Sequence, residues 1–144
     1  MNPIPQQLLI YGTVLFLVSL LIGFAMPVLA NPRMGVSAHV AGLQSGMILW
    51  VMGLMWQRLD LPASAERLLE ILAVAGLYAI FVSLFLAALW GTSRATPIAG
   101  AGHQASRLRE IVVTVVLTSG SVASAVSATL LLWGLCRWKH CVSL

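Results

Sequence analysis

The sequence predicts an all-α integral membrane protein whose four transmembrane helices pack as one bundle. Hydrophobic residues make up 60% of the chain and charged residues only 8%, whereas soluble domains contain about 25% charged residues. Four separate apolar windows are each long enough for the roughly 20 residues that a membrane-spanning helix needs. With 144 residues in total, the chain has room for a single domain.

Each window is bounded by residues that begin or end a helix near the membrane surface. Pro32 follows the first window, and Pro62 follows the second. Glu66 lies in the first turn of the third window, where a carboxylate complements the helix dipole. Arg137 follows the fourth window as an interfacial anchor. We therefore predict one four-span domain over residues 1–144, with helices over about residues 8–30, 38–56, 64–90 and 110–135.

Four spans place both chain termini on one side of the membrane and the loops at residues 31–38 and 91–109 on the other. The eight basic residues divide equally between the two sides, so the positive-inside rule selects neither orientation. We expect a bacterial inner membrane with cytoplasmic termini, because Arg33 and Arg94 can be assigned to chemistry. The net charge of +4 is spread over several loops without a basic patch, which does not fit a nucleic-acid partner.

The fourth window is rich in small residues at helical spacing. Gly120, Ser124 and Ala128 recur every four residues, so they share one face of the predicted helix. Small residues let membrane helices approach closely, either inside one chain or against another copy. Tight packing is the main interpretation, and a ligand path lined by the hydroxyl groups is the alternative.

Acidic residues lie near the predicted helix ends and not within the spans. Glu66, Glu70 and Glu110 are each within one or two turns of such an end. Without a carboxylate pair inside the bilayer, carboxylate-driven proton pumping or cation-coupled transport lacks its usual groups. We interpret these three residues as solvated or ion-paired, with a functional role for Glu70 or Glu110 as the alternative.

The segment from residue 31 to residue 46 departs most from plain membrane-helix composition, and His39 is its most informative residue. His39 is predicted in the first turn of the second helix, on the same face as Gly42 and Gly46. An imidazole above two residues without side chains leaves room for a planar group, as an axial haem ligand requires. The alternative is a GxxxG packing motif, which needs no cofactor.

The loop at residues 91–109 carries a second histidine on the same side of the membrane. His103 could pair with His39 in a bis-histidine site or meet a substrate, and a solvated loop histidine is the alternative. Arg33 and Arg94 could hold haem propionates, or they could cap helix carbonyl groups without any cofactor.

Two of these segments resemble a known family. Residues 31–39 (NPRMGVSAH) and 90–102 (WGTSRATPIAGAG) are similar to segments of the hydroxylaminobenzene mutases, small membrane isomerases of nitroaromatic degradation. The similarity covers nearly the whole chain, and both segments stand in the same order between helices. More distantly, His39 with Gly46, and the Arg67-Leu-Leu69 helix start, resemble styrene oxide isomerase, a four-helix membrane enzyme that binds haem b and forms trimers.

The resemblance implies a homotrimeric isomerase that converts a small aromatic substrate, a hydroxylaminoarene, into a 2-aminophenol without net redox change. It implies haem b with His39 as the axial metal ligand, and iron as a Lewis acid that weakens the N–O bond. Gly42, Gly46, Arg33 and Arg94 would then line the cofactor.

The resemblance also points to candidate substrate-pocket residues. Ser45 stands where the wider family has an asparagine that positions substrate, so the chain offers a shorter donor and acceptor there. Tyr78 is the candidate for the family's catalytic tyrosine, and Asn31 is a further candidate.

Two other functions compete with the isomerase. One is a haem electron carrier with both His39 and His103 on the iron, which predicts no open coordination position. The other is a small transporter or accessory subunit without a cofactor.

Overall fold

The described part of the chain folds into four long antiparallel helices, one short α-helix and two 3-10 turns. The computed structural model describes residues 3–142, with side chains described through Arg137. All four long helices are long and apolar enough to cross a membrane, and no strand occurs within residues 3–142. The prediction of an all-α integral membrane protein with four spans is therefore confirmed. The helices are α1 (Ile4–Ala25), α2 (Pro32–Met55), α3 (Ala63–Trp90), the short α4 (Pro97–Gly100) and α5 (Arg107–Val142).

Helix α2 begins at Pro32, six residues before its predicted start. Asn31 has an extended backbone, and its Oδ1 accepts a hydrogen bond from the Met34 amide at 3.1 Å. Asn31 is thus the N-cap, and Pro32 takes the first helical position, where its missing N–H costs nothing. The predicted loop at residues 31–38 is wrong, because these residues form the first two turns of α2. His39 consequently lies in the third turn and not the first.

The long helices form two antiparallel pairs, α1 with α2 and α3 with α5, which meet through contact between α2 and α3. Helix α5 packs mainly along α3, and α1 reaches α3 over a short stretch. Much of α1 and α5 is therefore left for lipid or for another protein surface. Phe24 is 86% exposed and Leu132 is 62% exposed, as expected for side chains that face hydrocarbon.

Glycines bring the helices of each pair into backbone contact. In the first pair, a Cβ atom on Gly12 would lie 2.7 Å from the Gly46 carbonyl oxygen. In the second pair, a Cβ atom on Gly76 would lie 2.9 Å from the Gly120 carbonyl oxygen, and one on Gly120 would lie equally close to the Gly76 oxygen. Such contacts strengthen dispersion forces where lipid offers no hydrophobic drive to association. The packing interpretation is therefore confirmed for Gly120.

The segment between α3 and α5 is held in place by a buried carboxylate. Glu110 is 9% exposed, and it accepts hydrogen bonds from the Ser93 and Arg94 amides, both at 3.0 Å. The interpretation of Glu110 as solvated or ion-paired is wrong, because its partners are backbone amides and it is largely shielded from water.

Candidate functional site

His39 lies between α1 and α2 with its ring against Gly23. Its Nδ1 atom is 2.6 Å from the backbone carbonyl oxygen of Ser19. Since a carbonyl oxygen only accepts, Nδ1 must carry the hydrogen, and Nε2 of the neutral ring keeps a free lone pair. A histidine that binds a metal through one ring nitrogen usually donates the N–H of the other nitrogen to a carboxylate, a backbone carbonyl or water, and the Nδ1 contact of His39 fits this pattern.

Two close contacts fix the position of this ring. A Cβ atom on Gly23 would lie 3.0 Å from Cε1 of His39, so glycine at this position makes room for the imidazole. One turn along α2, a Cβ atom on Gly42 would overlap Oγ of Ser19, which is fully buried. Ser19 therefore fits into a notch on α2, and the contact sets the distance between its carbonyl oxygen and His39.

Gly42 and Gly46 face helix α1 within the chain. A Cβ atom on Gly42 would also lie 2.6 Å from the Phe81 ring, and one on Gly46 would lie 3.1 Å from Cβ of Phe16. The space above both glycines is thus filled by protein atoms. This geometry supports the packing alternative for these two residues. Nε2 of His39 is then the atom of this segment that could bind a metal.

Asn31 connects three elements of the fold. It is 1% exposed, and its amide donates to the Ala88 carbonyl oxygen at 3.0 Å. Its Nδ2 donates to the Gly100 carbonyl oxygen at 3.1 Å, while Oδ1 caps α2. The backbone N–H thus joins the start of α2 to the end of α3, while the side chain caps α2 and binds α4, which is a framework role.

The two arginines and the second histidine of the predicted site lie at the surface on the Asn31 side. Arg33 and Arg94 are exposed, and the Arg94 amide binds Glu110. His103 is exposed, and its Nδ1 lies 3.0 Å from the Gly100 carbonyl oxygen. His39 thus contacts α1, whereas His103 contacts the end of α4. These contacts give no support to a bis-histidine site.

Ser45 and Tyr78 lie deeper in the bundle. Ser45 is 4% exposed in α2, six residues after His39 and on a different helical face. The Tyr78 hydroxyl donates to the Tyr11 carbonyl oxygen at 2.8 Å. Tyr11 and Ser19 are eight residues apart on α1, which corresponds to about 12 Å along the helix axis. Within one chain, Tyr78 and His39 therefore do not belong to one site.

A groove between α1 and α3 is lined by polar residues that the sequence analysis does not predict as site residues. Glu70 is 5% exposed, and its Oε2 atom lies 2.8 Å from Nη1 of Arg67. The ion-paired interpretation of Glu70 is confirmed, although the carboxylate is not solvated. Gln7 contributes a buried amide oxygen from the facing helix. The Arg67–Glu70 spacing was a visible signal for the pair, but nothing in it indicated that α1 covers it.

Comparisons with known proteins agree with this architecture. The styrene oxide isomerase family model matches residues 4–136, which include His39 and most of the four long helices. The chain is 41% identical over 134 residues to hydroxylaminobenzene mutase HabB of Ectopseudomonas oleovorans, covering 92% of this chain and 82% of that protein. It is 40% identical over 127 residues to hydroxylaminobenzene mutase HabA of the same organism, covering 88% and 94%. No solved structure matches the chain significantly.

The resemblance that was drawn from residues 31–39 and 90–102 is thus confirmed over most of the chain. The family match and the two mutase relatives are all isomerases by name, and the four apolar helices place the protein in a membrane. The protein is an integral membrane isomerase and belongs to the styrene oxide isomerase family.

Proposed function

We propose that the protein is a mutase that rearranges hydroxylaminoarenes, such as hydroxylaminobenzene, to 2-aminophenols. The two relatives named as hydroxylaminobenzene mutases support this substrate class. In the reaction the N–O bond breaks and a C–O bond forms at the ortho carbon. The ortho carbon loses its proton, and the nitrogen gains one proton. Atoms and electrons balance within one molecule, so the reaction needs no external oxidant or reductant.

His39 is the proposed ligand of a haem b cofactor, and the Nδ1 contact with Ser19 is the observation that carries this assignment. The hydrogen bond holds the ring in one tautomer and leaves Nε2 free, which fits an axial ligand. Haem iron bound there would supply a Lewis acid that polarises the N–O group. The chain itself holds the imidazole and surrounds it with apolar side chains.

The surface beside His39 is apolar and exposed within one chain. Val36 and Val40 lie next to it on α2 and are 48% and 43% exposed, and Phe24 follows Gly23 on α1. One chain would hold a cofactor and an aromatic substrate on this face from one side only, and would leave their other side open to lipid. We therefore propose a homo-oligomer, a trimer by family resemblance, in which another copy covers this face.

The remaining predicted residues have supporting roles in this proposal. Arg33 lies six residues before His39 on α2, about 9 Å along the axis, so it and Arg94 are proposed to bind haem propionates from the membrane surface. Ser45 and Tyr78 are proposed to orient substrate. We also propose a bacterial inner membrane with cytoplasmic termini, which places both arginines on the opposite side.

The test is to purify the protein in detergent, record its visible spectrum and incubate it with hydroxylaminobenzene. We expect a haem absorption band and formation of 2-aminophenol, both lost in His39→Ala. His103→Ala is the matched control and should keep both. Colourless but active protein would overturn the haem assignment, whereas coloured protein that leaves hydroxylaminobenzene unchanged would overturn the substrate class.

A further inference from the structure

Gln44 is a polar residue that faces outward from the middle of a membrane-spanning helix. Counted from Pro32, it is the thirteenth of the 24 residues of α2, and it is exposed within one chain. Exposed hydroxyl groups in other spans donate to carbonyl oxygens of their own helix, as at Thr13, Thr118 and Ser121. The Gln44 carboxamide has no hydrogen-bond partner among the described residues. Because an unpaired amide is costly in hydrocarbon, its position indicates a partner from outside the chain.

Gln44 lies at one end of a recess between α2 and α5, which has a volume of about 460 Å³. The other described lining residues are apolar, among them Met47 and Val51 of α2 and Leu131 of α5. A smaller space of about 160 Å³ shares Leu131 and continues inward to Leu77 of α3. The three helices thus form a concave apolar surface that a convex partner could fill.

Helix α1 presents a convex surface of matching chemistry. Exposed apolar side chains recur there at every third or fourth position and form a ridge: Ile10, Val14, Leu17, Leu21 and Phe24. Such ridges pack into the grooves of other helices. In a cyclic oligomer whose copies share one membrane orientation, the same residue lies at the same depth in every copy.

The ridge and the recess also lie at matching depths. Gln44 is five residues after His39 on α2, or about 7.5 Å along the axis towards the side of the chain termini. Leu17 is six residues before Gly23, which lies against the His39 ring, so it is about 9 Å towards the same side. The α1 ridge of one copy can therefore enter the recess of the next copy at the level of Gln44.

We propose that Gln44 of one copy binds substrate in the His39 site of the neighbouring copy. Within one chain this is excluded, because Gln44 lies about 140° around α2 from His39. With the α1 ridge in the neighbour's recess, Phe24 and the adjacent His39 ring come against the α2 helix that carries Gln44. The carboxamide oxygen accepts a hydrogen from the hydroxylamino group, and the carboxamide N–H donates to its oxygen. The ligand in this inference rests on the proposed function, whereas the pairing of the two surfaces does not.

Mixed oligomers test whether Gln44 acts on the neighbouring copy. Gln44→Met keeps the side-chain length and removes both hydrogen-bonding groups, so kcat/KM for hydroxylaminobenzene should fall about tenfold. In oligomers assembled from equal amounts of Gln44→Met and His39→Ala, about a quarter of the sites combine His39 of one copy with Gln44 of the next. Turnover should therefore reach about a quarter of the wild-type value, against about 5% if both residues act within one chain. Gln57→Met, exposed just beyond α2, is the matched control and should keep wild-type kcat/KM.

Crosslinking tests the same surfaces without turnover. In a chain whose Cys136 and Cys141 are replaced by serine, Phe24→Cys and Gln44→Cys are introduced into separate copies, and a short bismaleimide is added to mixed oligomers in detergent. We expect crosslinked pairs of chains. Gln57→Cys in place of Gln44→Cys is the control and should give none, because position 57 lies about 20 Å further along α2.

Failure of the Phe24–Gln44 crosslink would overturn the proposal, and so would mixed-oligomer turnover no higher than that expected for sites within one chain. Dissociation of Gln44→Met into single chains would also overturn it, because Gln44 would then join the copies and not bind substrate. A wild-type protein that forms the crosslink but no 2-aminophenol would contradict the proposed function. The pairing of the surfaces would then stand, and the substrate role of Gln44 would be lost with that function.

Discussion

The imidazole of His39 donates its Nδ1 hydrogen to the backbone carbonyl oxygen of Ser19, across the interface between α1 and α2, at 2.6 Å. The acceptor is a main-chain atom of a fully buried residue, so helix packing and not a second side chain orients the ring. Any substitution that changes the separation of α1 and α2 near this point should therefore change the position of the Nε2 atom.

Gly23→Ala should disturb His39 without unfolding the protein. The added Cβ atom would lie 3.0 Å from Cε1 and 3.1 Å from Nδ1 of the ring, so the imidazole must move by a few tenths of an ångström. Loss of such a supporting contact typically costs a metal site about tenfold to 100-fold in affinity or activity. We expect a loss in this range in haem retention and turnover. Gly35→Ala, which meets the flexible end of Leu29, is the control and should retain both.

Gly42→Ala should destabilise the protein as a whole. Its Cβ atom would overlap Oγ of Ser19 and approach the Phe81 ring, and overpacking of this kind costs about 1–3 kcal/mol. Thermal or denaturant unfolding in detergent measures the change. Adding Ser19→Gly should recover part of the loss, because it empties the notch, and a double-mutant cycle gives the coupling. Purely additive effects would show that the two residues do not pack as described.

Asn31→Ala tests whether this residue belongs to the framework. The change removes the cap of α2 and the bond to Gly100, and we expect a loss of about 2 kcal/mol in the free energy of unfolding. Turnover per folded molecule should stay within about twofold, in line with small effects of residues outside the chemistry. A stable variant with sharply reduced kcat would instead place Asn31 in contact with substrate. Asn31→Asp, which keeps the cap and loses the donor, should be intermediate.

Glu110→Gln should loosen the segment between α3 and α5. The carboxylate accepts from the Ser93 and Arg94 amides with both oxygens, whereas a glutamine side chain offers one acceptor oxygen. Hydrogen bonds to a charged group contribute about 1.5–3 kcal/mol, so at least one of these amides should exchange with solvent faster by about tenfold or more. Hydrogen exchange measured at Ser93 and Arg94 checks this. Unchanged protection at both amides would mean that the segment is held by other contacts.

The start of α2 is encoded in the local sequence. Asn31 followed by Pro32 is a local capping signal, since the Asn side chain accepts from the third amide and proline fits the first helical turn. The prediction of a loop over residues 31–38 overlooks this signal. That error moved His39 by two turns relative to the helix start.

Local composition by itself determined the class of this protein and its four membrane crossings, because length and hydropathy decide whether a segment can span a bilayer. The two segments at residues 31–39 and 90–102 also carried the family resemblance. Only the tertiary structure decided that Ser19 holds His39, that Gly42 and Gly46 pack against α1, and that Gln7 and Glu70 line the same groove. These helices are apolar on nearly every side, so their sequences do not indicate which face packs against which neighbour. The pairings therefore follow only from the packing of the helices.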